Sequence, residues 1–170
     1  MLTLIKEESI DIKTILEKVE NDSKGTKWSE TSKKWTKDYI KHLHEVYGDN
    51  WYFGYLKESD FKKILLPRHG SHSDSGHHEK VLFELDTNII DAGDIFLKNT
   101  DYDILCSENI KYLVEQISSQ GFISNITLAV INGSLKHVDG LHRLIAYQIL
   151  LKDGLKYEPI PVYLCRKTNT

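Results

Sequence analysis

The sequence predicts an α+β fold, because its two halves carry two kinds of hydrophobic spacing on a chain long enough for one domain. In the N-terminal half, apolar residues recur mostly at the three- and four-residue spacing of amphipathic helices. In the C-terminal half, short apolar runs and turn residues alternate with helical segments. The 170 residues are 40% hydrophobic and 28% charged, which is ordinary globular composition. We therefore predict a helical N-terminal extension over residues 1–80, packed on a core formed by residues 81–170.

The N-terminal half is predicted to contain three helices. The first follows Ser9 as its N-cap. The second covers about Glu30–Tyr47 and stops at Gly48, after which residues 50–55 are aromatic and turn-like. Ser59 is the predicted N-cap of a short third helix that ends before Pro67. The apolar face of the second helix is predicted to consist of Trp35, Tyr39, Leu43 and Val46.

The first part of the C-terminal half is predicted to form two short strands and one helix. The strands cover residues 81–85 and 94–97. The helix covers residues 108–119, with Ser107 as its N-cap and Gly121 as its C-terminal stop. Its buried stripe is predicted to consist of Ile110, Leu113, Val114 and Ile117.

The rest of the C-terminal half has the strongest local pattern. Asn132-Gly133 is typical of a tight turn between two antiparallel strands. Asp139-Gly140 then marks the change from strand to helix. The predicted elements are a strand over Ile126–Ile131, a return strand over residues 135–138, a helix from Gly140 to near Gly154, and a last strand over residues 160–164.

Charge, cysteine content and hydropathy exclude several classes of protein. With 22 Lys and Arg against 25 Asp and Glu, the net charge of −3 gives no bulk attraction to nucleic acid. Cys106 and Cys165 do not make a disulfide framework, so we expect a reducing cytoplasm. No run of about 18 apolar residues predicts a membrane span, and the N-terminus does not resemble a signal peptide.

The segment Val138-Asp-Gly-Leu-His-Arg-Leu144 carries the chemistry that the sequence suggests. Gly140 allows a tight turn and a close backbone approach, and Leu141 opens a helix whose first N–H groups favour an anion. His142 and Arg143 place cations where the helix dipole disfavours them, unless an anion is bound. The carboxylate of Asp139 can hold Mg²⁺ that bridges phosphates. The pattern predicts a nucleotide-phosphate site, with a plain N-cap at Asp139 and a surface partner at Arg143 as the alternative.

The motif Asp139-Gly-Leu-His-Arg-Leu, in the order helix, strand, motif and closing strand, resembles the ParB/sulfiredoxin superfamily. The resemblance covers residues 89–166. Sulfiredoxins place a catalytic cysteine where this chain has Leu141, which disfavours peroxiredoxin repair. ParB proteins carry an arginine-rich version and a downstream helix-turn-helix domain, whereas this motif has Arg143 alone. The closest version is Asp-Gly-His-His-Arg in the free-serine kinases, which implies phosphate transfer from ATP or ADP with Mg²⁺.

The resemblance also implies an acidic catalytic residue in the loop before the first conserved helix. That loop contains Asp101 and Asp103, and either is a candidate for the residue that orients and deprotonates the substrate hydroxyl. Ser124-Asn125 stands where the family commonly has a proline before its strand, which is a departure from the family's pattern.

Three features outside the motif have alternative interpretations. The segment between Arg68 and His78 is rich in Gly, Ser and His, which indicates a loop or a substrate lid more than a metal site, and Arg68 is a candidate for an anionic substrate group. The lysines of the second helix are interpreted as a solvated face. The N-terminal aromatic residues are interpreted as packing residues. His137 faces either the nucleotide cleft or solvent.

The function predicted from the sequence is an NTP-dependent kinase that acts on a hydroxyl of a small metabolite such as an amino acid. The cofactors are ATP or ADP and Mg²⁺, and the partners are the nucleotide and its small-molecule substrate, without a membrane or a nucleic acid. The alternatives are a ParB-like nucleotide-gated nucleic-acid-binding protein or nuclease, and a nucleotide sensor without catalysis. The acceptor, the choice among ATP, ADP and CTP, and the oligomeric state stay open.

Overall fold

A mixed β-sheet of seven strands forms the centre of the protein. The computed structural model describes residues 2–22, 30–70, 81–98, 104–122 and 124–167. The strands are β1 (Ile5–Ser9), β2 (Trp51–Leu56), β3 (Leu65–Leu66), β4 (His69–Gly70), β5 (Val81–Phe83), β6 (Thr87–Asn88), β7 (Ile126–Ile131), β8 (Ser134–Asp139) and β9 (Ile160–Cys165). The helices are α1 (Ile12–Asp22), α2 (Glu30–Tyr47), α3 (Glu58–Phe61), α4 (Ile89–Lys98), α5 (Ile104–Gln120) and α6 (Leu141–Lys152).

The seven strands lie in the order β1-β2-β9-β7-β8-β3-β6, and β4 pairs with β5 in a separate two-stranded ribbon. Strands β7 and β9 are parallel, as are β8 and β3, whereas the other neighbours in the large sheet are antiparallel. This mixed α/β architecture agrees with the predicted α+β class. None of the helices in the described ranges is long and apolar enough to cross a membrane.

The unit β7–β8–α6–β9 has the order of elements that the sequence predicts. The β7–β8 turn is formed by Asn132 and Gly133, whose φ values of 51° and 78° are those of a tight hairpin turn. Helix α6 then crosses the sheet and returns the chain to β9, parallel to β7. Residues 144–150 of α6 are all buried, so this helix is enclosed on every side.

Both faces of the sheet are covered by helices. Along β9, Ile160, Val162 and Leu164 pack into the larger apolar cluster, which includes residues of α4, α5 and α6. Tyr163 and Cys165 point the other way, into a cluster with α1 and α2. Because successive strand residues face opposite sides, this alternation is the signature of a strand buried on both faces. Cys165 is fully buried.

The predicted turn over residues 50–55 is wrong, because this segment is β2 and pairs with β9 along its whole length. Its aromatic residues favour strands, and Trp51 is fully buried. The misleading residue is Gly54. A Cβ there would lie 2.8 Å from Leu4 Cβ and 2.9 Å from Ile5 O, so the glycine allows β1 to approach β2 rather than making a turn. The first 80 residues therefore supply β1, β2 and β3 to the same sheet as β7, β8 and β9.

The bounds of α2 are confirmed, and so is the burial of Leu43, but Trp35 and Val46 of the predicted apolar face are exposed. Trp35 is 68% exposed and Val46 is 52% exposed. The buried positions are Lys33, Thr36, Ile40 and Leu43. Lys33 packs against α1, where its Nζ lies 3.2 Å from Glu20 Oε1, so the interpretation of this lysine as part of a solvated face is also wrong. Helix α2 therefore faces the sheet and α1 with Ile40 and Leu43, which belong to the apolar cluster that includes Ile15 and Val19.

Four local predictions are wrong: one concerns the type of an element, and three concern the residue that caps a helix. Residues 94–97 belong to α4 rather than to a strand. Ser9 ends β1, and the N–H of Lys13 donates instead to the Asp11 carboxylate at 2.7 Å. Ser59 lies inside α3, whose N-cap is Lys57. Helix α5 begins three residues before Ser107, which is therefore not its N-cap.

A partly buried ion pair joins the first strand to the end of the last strand. Arg166 donates to Glu7 Oε2 at 2.8 Å and to Oε1 at 2.5 Å, and also to the Leu2 carbonyl at 2.7 Å. Its guanidinium lies 4.5 Å from the ring centroid of Tyr52. The hydrogen bond from Arg166 lowers the pKa of the Glu7 carboxyl below its ordinary value, more strongly than partial burial raises it.

The Glu7–Arg166 pair makes stability depend on pH. Because the folded-state pKa of Glu7 is depressed, its contribution is complete above the unfolded pKa and is lost as the pH falls through the folded value. We expect Glu7→Gln to cost about 1–2 kcal/mol at neutral pH. The difference from the unmodified protein should shrink in acid, as measured by urea unfolding at several pH values. Glu8→Gln, at an exposed position of the same strand, is the control. A Glu7→Gln deficit that stays constant into acid contradicts the assignment.

Candidate functional site

The candidate site lies where β8 ends and α6 begins. Gly140 joins them in the left-handed region, with φ 95° and ψ 26°, and its carbonyl accepts the first helical hydrogen bond from Leu144 N–H at 3.0 Å. As the N-cap residue it provides no side chain to bond the first N–H groups of α6. A Cβ at this position would lie 2.5 Å from Ile126 Cγ2. Glycine is therefore required both by the backbone angle and by the approach of β7.

Arg143, one turn into α6, connects three chain segments. Its Nη2 lies 3.1 Å from Asp139 Oδ2, and its Nη1 donates to the Asn125 carbonyl at 2.8 Å and also to Ser124 Oγ. The side chains of Arg143 and Asp139 are 16% and 6% exposed, so the pair is screened from solvent. The alternative of an N-cap at Asp139 does not hold, since Gly140 is the N-cap and the partner of Arg143 is buried rather than on the surface.

His142 lies beside two side chains from other elements. Its Nδ1 is 3.3 Å from Asn109 Nδ2 on α5. If the amide donates to Nδ1, a neutral imidazole carries its hydrogen on Nε2. The ring of His69, on β4, meets the His142 ring edge to face at 5.4 Å between centroids. His69 is itself buried and packs against Phe83 of β5 at 5.5 Å.

His137 on β8 lies on the same side of the sheet as the site's cations. Its Nε2 is buried and has no hydrogen-bond partner in the described part of the chain. Burial, followed by the positive charges of Arg143 and His142, lowers the pKa of His137 to about 3. The imidazole is therefore neutral at physiological pH. Of the two orientations left open by the sequence, the one toward the site agrees with these interactions.

An open cleft of about 80 Å³ borders Arg143 on the side of α5. Its walls include Tyr112, Gln116, Phe122 and Ser124. Pockets that bury a drug-sized ligand are about 300–1,000 Å³. The cleft, as formed by the described residues, is too small to enclose a nucleotide.

The structure brings some of the predicted site residues together but not all of them. Asp139, Gly140, Leu141, His142 and Arg143 form one strand-to-helix junction, in which the Leu141 side chain packs against the apolar core. Arg68 precedes β4, is 55% exposed in its side chain and lies 3.5 Å from Glu84 Oε2. Asp101 and Asp103 lie outside the described residues, as does most of the His-rich segment.

The metal ligand predicted at the junction, Asp139, is a single carboxylate. One of its oxygens pairs with Arg143. Within the described ranges, no group of three or more His, Cys, Asp or Glu side chains is arranged to hold a metal ion. This donor set suits Mg²⁺ that arrives with phosphates and keeps its water ligands, rather than a metal held by the protein alone.

Sequence reasoning missed four residues that support this junction: His69, Asn109, Ser124 and Asn125. Ser124-Asn125 had a signal, because it replaces an expected proline, and the structure uses this pair to bind Arg143. His69 belongs to the His-rich segment that the sequence singled out, but nothing in the sequence linked His69 or Asn109 to His142. They reach His142 from elements that precede it by 73 and 33 positions, a distance along the chain that no local pattern spans.

Comparison with known proteins identifies no similar protein or family. A scan against protein families, a search of curated proteins and a search of solved structures each return no match.

Proposed function

We propose that the start of α6 binds the phosphates of ATP or ADP, and that the protein is an NTP-dependent phosphotransferase acting on a hydroxyl of a small metabolite such as an amino acid. The observation that carries this proposal is the junction itself: a glycine N-cap in the left-handed region, without a capping side chain, followed by His142 and Arg143 in the first turn. Helix N-termini of this kind favour anions. The resemblance of the motif to the free-serine kinases supports the same conclusion.

In this proposal the residues of the junction have separate tasks. The N–H groups of the first turn of α6 bind phosphate oxygens, and Gly140 allows them to come close. His142 adds a donor at the same end of the helix. Arg143 positions the junction through Asp139 and Asn125, and contributes positive charge nearby. Mg²⁺ bound with the nucleotide would be held by Asp139 and would neutralise charge on the phosphates during transfer.

The proton of the acceptor hydroxyl needs a base. Asp101 or Asp103 is proposed for this role from the resemblance, since a carboxylate can orient the hydroxyl and accept its proton. Asp101→Asn and Asp103→Asn are the direct tests of the base, and loss of turnover with nucleotide binding retained is the expected result for one of them. Full activity in both variants contradicts the assignment.

Nucleotide binding can be tested separately from catalysis. We expect isothermal titration calorimetry to detect binding of ATP or ADP with Mg²⁺, and His142→Ala to weaken it about tenfold, as expected for the loss of a hydrogen bond to a charged group. His42→Ala, at a side chain that is 65% exposed on α2, is the matched control and should leave the affinity unchanged. Absence of binding in the unmodified protein, or equal effects of the two substitutions, overturns the proposal.

The phosphate acceptor can be identified by an untargeted experiment. The protein is incubated with ATP, Mg²⁺ and a metabolite extract, and mass spectrometry detects which compound gains a phosphoryl group. A protein that binds nucleotide but phosphorylates nothing in the extract supports the sensor alternative and contradicts the kinase.

A further inference from the structure

A second cleft, separate from the candidate phosphate site, opens at the other end of α6. It has a volume of about 230 Å³. Its polar lining comes from Glu58, Lys62, Gln148 and Lys152, and Leu155 and Tyr157 contribute to its apolar wall. Lys152 is 11 residues along α6 from Leu141, which corresponds to about 16 Å at 1.5 Å per residue. A molecule in this cleft would therefore not touch the start of the helix.

Gln148 is the unusual residue of this cleft. It is only 4% exposed, yet its side-chain amide makes no hydrogen bond to any residue of the described ranges. Its stem is fixed by α4, because a Cβ on Gly93 would lie 2.8 Å from Gln148 Cγ. The amide atoms are not among the buried polar atoms that lack a partner in the described ranges, so they face the space of the cleft. An amide in this setting offers one acceptor and two donors to a molecule that enters the cleft.

The rim of the cleft carries both signs of charge in exposed ion pairs. Lys62 Nζ lies 2.6 Å from Glu58 Oε1, and Lys152 pairs with Asp94. Exposed pairs of this kind contribute little to stability, so exchanging one partner for a ligand group costs little. A ligand with one ammonium and one carboxylate can bind Glu58 and a lysine at the same time, whereas a ligand with a single charge leaves one of these groups unmatched.

The size and the apolar wall restrict the ligand further. At about 230 Å³ the cleft is smaller than the pockets of about 300–1,000 Å³ that hold drug-sized ligands, which favours a small metabolite. Leu155 and the ring of Tyr157 offer apolar surface, and the Tyr157 hydroxyl is occupied by the Leu56 carbonyl at 2.8 Å. We propose that this cleft is a binding site for a free α-amino acid with an apolar side chain, with Gln148 binding its polar end. This inference does not depend on the proposed phosphate site.

The test uses the full chain and each standard L-amino acid at millimolar concentration, with binding detected by saturation-transfer NMR and titrated by calorimetry. We expect one or more amino acids with apolar side chains to bind. Gln148→Met preserves the length of the side chain and removes its hydrogen bonds, and it should weaken this binding about tenfold. Gln116→Met, on α5 at the wall of the other cleft, is the matched control and should not change it.

Two further measurements keep the proposal falsifiable. Without ligand, Gln148→Met should be about as stable as the unmodified protein, because no hydrogen bond within the described ranges is lost. If Gln148→Met does not fold, Leu155→Trp fills the cleft from a position that is 40% exposed and should abolish amino-acid binding. Binding of no amino acid, or binding that Gln148→Met leaves unchanged, overturns the proposal. ATP binding should be the same in Gln148→Met and Leu155→Trp as in the unmodified protein, so a failure of this proposal can be distinguished from a failure of the proposed phosphate site.

Discussion

Gly140→Ala is expected to lower the free energy of unfolding by about 3 kcal/mol. Two costs add at this position. A left-handed conformation costs an L-residue roughly 1–2 kcal/mol, and forcing a methyl group into a packed contact costs about 1–3 kcal/mol. The φ of Gly140 is 95°, and the new Cβ would lie 2.5 Å from Ile126 Cγ2 and 3.2 Å from Arg143 Nη2. Urea unfolding measures the loss.

Gly154 is a close control for this substitution. Its φ is 99°, but a Cβ there would meet nothing within 4 Å. Gly154→Ala therefore isolates the backbone cost and should lose only about 1–2 kcal/mol. Combining Gly140→Ala with Ile126→Ala should cost less than the sum of the two single substitutions, because the second removes the Cγ2 atom that the new methyl meets. Equal losses at Gly140 and Gly154 would show that the contact with β7 is unimportant.

The same substitution should affect ligand binding more than its control does. The contact of the new Cβ with Arg143 Nη2 displaces the guanidinium from Asp139, so the junction changes shape. We expect the affinity for ATP with Mg²⁺ to fall in Gly140→Ala and to be retained in Gly154→Ala, measured below the unfolding transition of both variants.

Arg143→Met is expected to destabilise the protein by about 3 kcal/mol. Removing one member of a buried ion pair typically costs 3–5 kcal/mol, because the remaining charge stays in a poorly solvated place. Here the remaining carboxylate is Asp139, whose side chain is 6% exposed, and the Asn125 carbonyl also loses a donor at 2.8 Å. Arg143→Lys should recover little of the loss, since one ammonium cannot reproduce the planar fork that reaches three partners.

A double substitution and a surface control make this prediction specific. Adding Asp139→Asn to Arg143→Met removes the charge that was left behind, so the double variant should be more stable than the single one. Arg68→Met breaks an ion pair whose arginine side chain is 55% exposed and should cost less than about 1 kcal/mol. If Arg143→Met costs no more than Arg68→Met, or if Asp139→Asn makes it worse, the buried pair is not what holds the junction.

Both predictions concern a junction that the sequence located correctly. A tight two-residue hairpin turn needs positive φ at both central residues, and Asn-Gly is the pair that adopts it most readily. Between two apolar runs, Asn132-Gly133 therefore predicts a hairpin. The helix that follows is bounded by glycines that the chain cannot replace without strain, at Gly140 and at Gly154. These are local properties of the backbone. For that reason the order of β7, β8, α6 and β9 could be predicted from the sequence alone.

The elements that the sequence predicted wrongly depend on contacts between residues far apart in the sequence. The segment Trp51–Leu56 is a strand because β9, more than 100 residues later, pairs with it, and Gly54 looks like a turn residue until β1 lies against it. The rotation of α2 follows from the packing of Ile40 and Leu43 against α1 and the sheet, since the helix carries apolar residues on more than one face. Helical or strand periodicity alone cannot identify such partners.

The sequence by itself determined the mixed α/β class, the strand-to-helix junction at Asp139–Arg143 and the need for glycine at its centre. Each follows from backbone angles and from spacing within a few residues. Only the tertiary structure decided that Arg143 binds Asp139 and Asn125 and that His69 and Asn109 lie against His142. It also decided that Gln148, further along the same helix, lines a second cleft. These facts depend on which distant surfaces pack together, and burial is a property of the folded whole rather than of any segment.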